Sequence, residues 1–352
     1  MNVLCRHFGT CGGCTLQDLA PEQYLERKRR RIVDALARNG VDGAPLSGIE
    51  TVPSHSRRRA TLKVRKSAGE THIGFHAPRS HVLVDVRQCH VLTPGLFNLT
   101  QQLREVFDAT LAGEESAELY MLEADNGFDL AISGARRSMP DVVARIAAAA
   151  SKLDLIRVTS GTDLLYQTAI PVVTFGKARV GLPPAAFLQP TREGEALLQR
   201  LVNQAVGTAK RVLDLFSGCG TFSLFLASRA QVNAFDVETS MLQALAAAAR
   251  GTSGLKPLHT ERRDLFKQPL LPAEINRLDA AVLDPPRAGA LAQSTKLAQS
   301  RLTHIAYVSC DAASFARDAR VLIDGGFRLD WIVGVDQFLW SAHIELAAAF
   351  SR

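Results

Sequence analysis

The amino-acid sequence has no long hydrophobic run, since apolar residues nowhere continue for the roughly 18 positions that a membrane-spanning helix needs. Its first residues also lack the basic-then-apolar order of a secretory signal peptide. Internal repeats and low-complexity tracts are absent, and only 22% of the 352 residues are charged, which excludes fibrous and disordered chains. We therefore expect a soluble, cytoplasmic protein without a membrane partner, long enough for two domains.

Acidic residues are too few to balance the basic residues of the N-terminal part. The chain has 41 Lys and Arg against 35 Asp and Glu, a net charge of +6. Residues 1–66 contain 13 basic and 6 acidic side chains, so this segment has a net charge of +7 and the remainder is nearly neutral. Such a local excess indicates a polyanionic partner such as a nucleic acid; a basic face that contacts only solvent is the alternative.

Cysteine is scarce as well, with six residues in the chain. A cytoplasmic protein keeps its thiols reduced, so the sequence does not predict a disulfide framework. Metal binding and nucleophilic chemistry are the roles that stay open for these thiols. The six are Cys5, Cys11, Cys14, Cys89, Cys219 and Cys310.

The pattern of apolar residues changes near residue 181. Before it, the sequence predicts a helix from Pro21 to about Gly40, several alternating strands and a hairpin turn near Asn126, which together indicate a mixed α+β domain. After it, apolar strands alternate with helical segments, which is typical of a parallel, doubly wound α/β sheet. We predict two domains, residues 1–180 and 181–352, with the helix near residues 20–40 able to pack on the second.

A glycine-rich turn follows the first strand of the second domain, in the segment Asp214-Leu215-Phe216-Ser217-Gly218-Cys219-Gly220. Its glycines allow a ligand to approach the backbone, and Asp236, at the end of the next strand, can accept hydrogen bonds from ribose hydroxyls. No Gly-Lys-Ser/Thr triplet is present, which disfavours a nucleoside triphosphate. The Asp-x-Phe-x-Gly-x-Gly pattern resembles the first motif of S-adenosylmethionine (SAM) dependent methyltransferases. The alternative is a turn that only packs a helix on a strand.

Three further side chains suit one particular reaction, methylation of uracil at C5. That carbon is a poor nucleophile, but addition of a thiolate to C6 makes an enolate that can take a methyl group. A base must then remove the C5 proton, and a donor must stabilise the charge on O4. Cys310, Glu345 and Gln189 fit these three tasks, while an inert buried cysteine and an ordinary surface glutamate are the alternatives.

Two features of the segment Asp284-Pro285-Pro286-Arg287 narrow the chemistry. Arg287 replaces the aromatic residue that ends the similar motif of amino-group methyltransferases. Pro286 lies in the region where RNA cytosine-C5 enzymes carry a second cysteine. The sequence therefore favours uracil over cytosine and over an amino group.

In their order along the chain, these motifs resemble those of the RNA (uracil-5-)-methyltransferase family, and most closely its iron–sulfur members that modify 23S ribosomal RNA. The resemblance covers the C-terminal half and implies a Rossmann-like SAM methyltransferase domain. It implies that Cys310 is the nucleophile and Glu345 the base, acting on a uridine flipped out of its stack. The positions that it assigns to binding SAM or the target uracil are Gln189, Phe216, Thr221, Asp236, Asp264 and Asp284.

The N-terminal half resembles the same branch through the pattern Cys5-x5-Cys11-Gly-Gly-Cys14 and through Cys89, which imply a [4Fe–4S] cluster with four thiolate ligands. The alternative metal is zinc, for which His7 and His90 are further candidate ligands. Basic residues also lie where relatives carry a strand that contacts RNA phosphates: Arg57, Arg58, Arg59, Lys63, Arg65 and Lys66.

The resemblance also bears on partners. Many relatives begin with a small RNA-binding β-barrel called TRAM, and we expect none here because the chain starts at the cysteine motif. The four cysteines favour 23S rRNA as the substrate, and the family suggests a monomer. Two alternatives stay open: a tRNA uracil-C5 methyltransferase, and a non-catalytic iron–sulfur protein that binds RNA or senses redox state.

Overall fold

A computed structural model of the chain describes residues 3–113, 115–135, 139–161 and 163–352; Met1 and Asn2, with which the predicted first domain begins, lie outside the described residues. The helices of the N-terminal part are α1 (Pro21–Arg38), α2 (Pro94–Thr110) and α3 (Met139–Leu153). Its strands are β1 (Leu46–Thr51), β2 (Arg59–Ser67), β3 (Glu70–His76), β4 (Leu83–Asp85), β5 (Ser116–Ala124), β6 (Gly127–Gly134), β7 (Leu155–Ser160), β8 (Asp163–Gln167), β9 (Val172–Phe175) and β10 (Ala178–Gly181).

Strands and helices alternate in the C-terminal part. The strands are β11 (Arg211–Leu215), β12 (Gln231–Asp236), β13 (Leu258–Arg262), β14 (Ala280–Leu283), β15 (His304–Ser309), β16 (Arg328–Asp336) and β17 (Glu345–Ser351). The helices are α4 (Arg192–Ala205), α5 (Ser223–Leu226), α6 (Thr239–Gly251), α7 (Pro272–Ile275), α8 (Leu291–Ala298) and α9 (Ala312–Asp324). Throughout the described residues, no helix combines the length and the hydrophobicity needed to cross a membrane.

Among the described residues, eight strands form the larger sheet, in the order β1-β16-β17-β15-β14-β11-β12-β13. Its neighbours run parallel except at β17, which is antiparallel to β15 and β16. From β11 the chain proceeds to β12 and β13 on one side and then to β14 and β15 on the other. The direction changes between β11 and β14, so their carboxyl ends open the crevice in which such folds bind ligands. The predicted doubly wound α/β class is confirmed.

The described part of the chain also forms a seven-stranded sheet, in the order β4-β3-β2-β5-β6-β7-β8. Helices α2 and α3 cover one face of it, with Phe107 and Ile146 in the shared core. Ala60, Leu62 and Val64 of β2 are buried in the same core. Because side chains of a strand alternate between two faces, the intervening residues of β2 lie on the opposite face. The predicted mixed α+β architecture of the N-terminal part is confirmed.

Residues 21–51 precede the seven-stranded sheet in sequence but pack on the larger one. β1 pairs with β16 in parallel, and α1 packs against α9. Ile32 and Leu36 of α1 are buried in the core of the larger sheet, where each side chain stabilises the fold by roughly 1.5–3 kcal/mol. The domain boundary between residues 180 and 181 stays a prediction.

Candidate active site

The turn after β11 is shaped by left-handed backbone conformations at Phe216, Gly218 and Gly220, with φ angles of 62°, 52° and 98°. A Cβ atom at Gly220 would lie 2.4 Å from Leu245 Cδ1, so this close approach of helix and turn requires glycine. The space beside Gly218 is open within 4 Å, and its backbone N–H donates to Asp236 Oδ2 at 2.8 Å. This hydrogen bond ties the turn to the end of β12.

Asp214 lies beneath this turn and is fully buried. Ser223 Oγ donates to its Oδ2 at 2.5 Å, whereas its Oδ1 has no hydrogen-bond partner among the described residues. Burial, and after it the charges of Asp284 and Asp236, raise the pKa of this carboxyl to about 7. A buried oxygen without a partner is uncommon in native folds. Together with the open space at Gly218, it fits a turn that receives a polar ligand such as SAM.

The other predicted cofactor contacts lie near the same turn. The ring of Phe216 lies 5.5 Å from that of Phe266, centroid to centroid. Asp264 holds the segment that carries Phe266, because its Oδ1 accepts from the Phe266 backbone N–H at 3.1 Å. The backbone carbonyl of Thr221 accepts from Gln199 Nε2 at 3.0 Å. The roles of Phe216, Asp264 and Thr221 in binding stay predictions.

A chain of hydrogen bonds links four side chains at the carboxyl edge of the sheet. Gln189 Nε2 donates to Asp284 Oδ2 at 3.1 Å. Gln337 Nε2 donates to Gln189 Oε1 at 2.8 Å and to Glu345 Oε2 at 3.1 Å. The structure thus brings together three predicted site residues from distant segments, Gln189, Asp284 and Glu345, and adds Gln337 between them.

The two carboxyl groups of this chain bind protons more tightly than usual. Burial raises the pKa of Asp284 to about 7. Burial, and after it the charge of Asp284, raises the pKa of Glu345 to about 8, against the hydrogen bond from Gln337 and the cations of Arg59 and Arg287. Both groups can therefore exchange protons near neutral pH, as general acid–base chemistry requires.

Cys310 follows the last residue of β15 and is partly buried. Burial, and after it the negative charges of Glu345 and Asp284, raise the pKa of its thiol to about 11, while Arg287 lowers it. Ser309 of β15 pairs with Leu346 of β17, and Tyr307 of β15 pairs with Leu283 of β14. Cys310, Glu345 and Asp284 adjoin these paired residues and therefore lie at one edge of the sheet.

Known proteins resemble this chain over nearly its whole length, although no protein-family model matches it. An uncharacterized RNA methyltransferase of Brucella suis is 37% identical over 100% of this chain and 84% of the relative. Another, of Caulobacter vibrioides, is 40% identical over 99% of this chain and 85% of the relative. The 23S rRNA (uracil(1939)-C(5))-methyltransferase of Halomonas elongata is 34% identical over 97% of this chain and 74% of that protein. This chain belongs to the RNA (uracil-5-)-methyltransferase family.

A solved structure has the fold of this family. The Pyrococcus abyssi tRNA (uracil-54, C5)-methyltransferase in complex with S-adenosyl-L-homocysteine superposes with a TM-score of 0.75, at 22% identity, over 98% of this chain and 86% of that chain. The predicted Rossmann-like fold of a SAM methyltransferase is therefore confirmed. Membership of the family likewise confirms the prediction of an RNA methyltransferase.

Four cysteines of this family member line one cavity of about 300 Å³: Cys5, Cys11, Cys14 and Cys89. Burial, and after it the charges of the other three, raise the pKa of the Cys14 thiol to about 12. In the described ranges, no group of three or more His, Cys, Asp or Glu side chains has an arrangement that could hold a metal ion. The thiols fit an iron–sulfur cluster in kind and number, and the [4Fe–4S] cluster itself stays a prediction.

Arg58 differs from the prediction for the basic strand of this RNA methyltransferase. Its side chain is buried and forms an ion pair with Glu195 at 2.6 Å, so it is not available to an RNA phosphate. Arg57 and Arg59 are partly exposed, and each lies over an aromatic ring. The difference arises because successive side chains of an extended segment point to opposite sides.

The loop before Glu345 is held by residues that no sequence motif indicates. Lys28 Nζ pairs with Asp336 Oδ1 at 2.6 Å and donates to the backbone carbonyl of His343 at 2.5 Å. Gln337, next to Asp336, completes the hydrogen-bond chain of the site. A lysine within a basic run predicts solvent exposure, and an isolated glutamine belongs to no motif. Asp336, an acidic residue at the end of β16, is the one feature of the sequence that could have indicated a functional position here.

Proposed function

We propose that this protein transfers a methyl group from SAM to C5 of a specific uridine in 23S rRNA. The observation that carries the proposal is the placement of Cys310, Glu345 and Asp284 at adjoining strand ends on one edge of the sheet. A thiol beside carboxyl groups that titrate near neutral pH suits addition to a pyrimidine followed by proton removal. The 34% identical relative that methylates uracil in 23S rRNA supports the reaction and the substrate class.

The turn after β11 would hold SAM, which supplies an electrophilic methyl group when bound. The open backbone at Gly218 gives the ligand access. Asp236 would accept hydrogen bonds from ribose hydroxyls, and the free Oδ1 of Asp214 adds an acceptor beneath the turn. The full set that we propose for SAM or the target base is Gln189, Phe216, Thr221, Asp236, Asp264 and Asp284.

Cys310 would begin the reaction by adding to C6 of the flipped uracil. Its thiol proton passes to Asp284, the Sγ–C6 bond forms, and the electron pair of the C5=C6 double bond moves to O4 as an enolate. Gln189 Nε2, which uses one hydrogen for Asp284, has a second for this oxygen. The electron pair would return through C5, which would form a bond to the methyl carbon as the bond between that carbon and the sulfur of SAM breaks, so that S-adenosylhomocysteine is the leaving group.

Glu345 would complete the reaction by removing the proton from C5. The electrons of that C–H bond restore the C5=C6 double bond as the Sγ–C6 bond breaks. Cys310 leaves as a thiolate and regains its proton from Asp284, so the net products are 5-methyluridine, S-adenosylhomocysteine and one proton on Glu345. The raised pKa of Glu345, about 8, makes this carboxylate a stronger base than an exposed glutamate.

Cations around the crevice support an RNA substrate. Arg59 and Arg287 lie close enough to Glu345 to lower its pKa, and Arg57 lies over the ring of Phe338 in the loop before it. We expect these arginines to bind phosphates on either side of the flipped nucleotide. Phosphate contacts of this kind position the RNA without reading its sequence.

We also propose that Cys5, Cys11, Cys14 and Cys89 hold a [4Fe–4S] cluster, with zinc as the alternative. Their placement around one cavity supports it. A bound cluster would join the N-terminal segment to Cys89. The residues after Cys14 adjoin the active-site loop, because the backbone N–H groups of Thr15 and Leu16 donate to the carbonyl of Trp340. The cluster would thereby support that loop.

The test is methyl transfer from labelled SAM to unmodified 23S rRNA, with tRNA in parallel and nucleoside analysis of both products. We expect 5-methyluridine in 23S rRNA. Label in tRNA alone would keep the chemistry and change the substrate. The experiment uses protein that binds SAM and RNA that is free of other proteins. If neither 23S rRNA nor tRNA is labelled under these conditions, the proposed reaction is contradicted.

A further inference from the structure

The side-chain amide of Gln337 lies between two groups of the site and is almost completely buried, with 1% of its surface exposed. Its Nε2 donates in both directions, to Gln189 Oε1 and to Glu345 Oε2. We propose that Gln337 is a positioning residue that favours the ionised form of Glu345, aims its carboxylate and fixes the orientation of the Gln189 amide. The proposal rests on the proposed function, because it assigns a role within the same site.

The two ends of the hydrogen-bond chain determine its direction. Asp284 is an acceptor, so Gln189 must turn its NH₂ group toward it and its carbonyl toward Gln337. Glu345 is an acceptor when ionised, so Gln337 must present its NH₂ group to both neighbours. A reversed Gln337 amide would place its oxygen against two other oxygens. One glutamine therefore sets the orientation of the groups on both sides of it.

The Gln337 amide packs closely against the first turn of α4. Its Oε1 is buried and has no hydrogen-bond partner among the described residues. A Cβ atom at Gly194, in the first turn of α4, would lie 2.5 Å from this oxygen. A larger residue at position 194 would therefore displace the amide. Within the described part of the chain, the Gln337 carbonyl is therefore left without a hydrogen bond, which destabilises the fold, while the NH₂ group bonds to both neighbours. This arrangement indicates that the position of the NH₂ group serves function and not stability alone.

The hydrogen bond from Gln337 matters because the other groups near Glu345 have opposing effects on its ionisation. Asp284 disfavours its charged form, and Cys310 would do so as a thiolate, whereas Arg59 and Arg287 favour it. Gln337 adds a directed hydrogen bond to that balance. Its loss would leave the Glu345 carboxylate buried with one donor fewer. We expect the group to ionise at higher pH and to be a less well aimed base.

The experiment compares the wild type with Gln337→Met, which keeps an unbranched side chain but removes both hydrogen bonds, and with Gln337→Glu, which puts a carboxyl group in place of the donor. The matched control is Gln293→Met. Gln293 is also fully buried, and within the described part of the chain its amide bonds to the backbone of Leu270 alone, at 2.8 and 3.3 Å. All variants are first checked for a folded state by circular dichroism.

Two measurements are made on each protein. One is the pH profile of kcat for 23S rRNA together with KM. The other is the infrared carboxyl band that disappears in Glu345→Gln, followed against pH, which does not require activity. Gln337→Met is expected to lower kcat by about tenfold to a hundredfold with KM changed by less than about threefold, the range expected for losing a hydrogen bond to a charged group.

The direction of the pH shift decides the outcome. The rising limb of kcat and the Glu345 band should move to higher pH in Gln337→Met and further in Gln337→Glu, and should stay in place in Gln293→Met. An unchanged Glu345 titration in a folded Gln337→Met or Gln337→Glu protein overturns the proposal, whatever kcat does. If the wild type methylates neither RNA, the proposed function is contradicted. The role of Gln337 is still tested in that case, because the infrared titration of Glu345 does not require activity.

Discussion

The ammonium group of Lys28 lies 2.6 Å from the carboxylate of Asp336, and both side chains are removed from solvent, with 1% and 0% exposed. Lys28 belongs to α1, and Asp336 ends β16, directly before the loop that leads to Glu345. The hydroxyl of Tyr24 donates to the same carboxylate. The N-terminal helix therefore holds the approach to the candidate base, although more than 300 residues separate the two groups in sequence.

Lys28→Met is expected to destabilise the protein strongly, because it leaves the Asp336 carboxylate buried without its cation. Breaking a buried pair in this way typically costs about 3–5 kcal/mol. The matched control is Arg30→Met on the same helix, whose ion pair with Glu26 is exposed at 71% and 48% and is worth at most about 1 kcal/mol. Urea unfolding measures both. Equal losses in the two variants would contradict a structural role for the Lys28–Asp336 pair.

Cys310→Ala and Glu345→Gln should abolish turnover in different ways. Without the thiol no bond to C6 can form, so Cys310→Ala should bind RNA and SAM but yield neither product nor adduct. Without the base the methylated pyrimidine cannot lose its C5 proton, so Glu345→Gln should accumulate a covalent RNA–protein complex. Denaturing gel electrophoresis with labelled SAM detects it. Methylation by Cys310→Ala would make the nucleophile assignment wrong.

The thiol of Cys310 is expected to react slowly with iodoacetamide at neutral pH, because its raised pKa of about 11 leaves little thiolate. The rate should rise about tenfold per pH unit until the pH approaches that value. Asp284→Asn removes a negative charge and should lower the pKa, whereas Arg287→Met removes a positive charge and should raise it. Mass spectrometry of the modified peptide follows each rate. Shifts of the same sign in the two variants would contradict this electrostatic account.

Replacing a cysteine of the N-terminal cavity should remove the cluster. Cys11→Ser and Cys89→Ser, purified without oxygen, are expected to lose iron and sulfide together with the visible absorption band. Cys219→Ser is the control, since Cys219 is buried in the turn after β11, away from the cavity. Elemental analysis of the wild type distinguishes the metals. Zinc in place of iron would overturn the iron–sulfur proposal but keep the four ligands.

The sequence by itself determined the elements whose signals are local. The glycine turn, the strand–helix alternation and the chemistry at strand ends each depend on neighbouring residues, and parallel strands bring their carboxyl ends to one edge by geometry. For this reason the sequence predicts Cys310, Glu345, Asp284 and Gln189 as parts of one site. The order of the same motifs gave the resemblance to the family, which the 34% identical relative confirmed.

Tertiary structure alone decided which charged and polar side chains are buried. Arg58, Lys28 and Gln337 belong to no motif that distinguishes them from exposed residues, yet each is buried and held by a partner from a remote segment. Their roles depend on strand register and on how α1 and α4 pack. A buried charge or amide is stable only when another group pairs or hydrogen-bonds with it. Here that group comes from a distant segment, so no pattern of neighbouring residues predicts the contact.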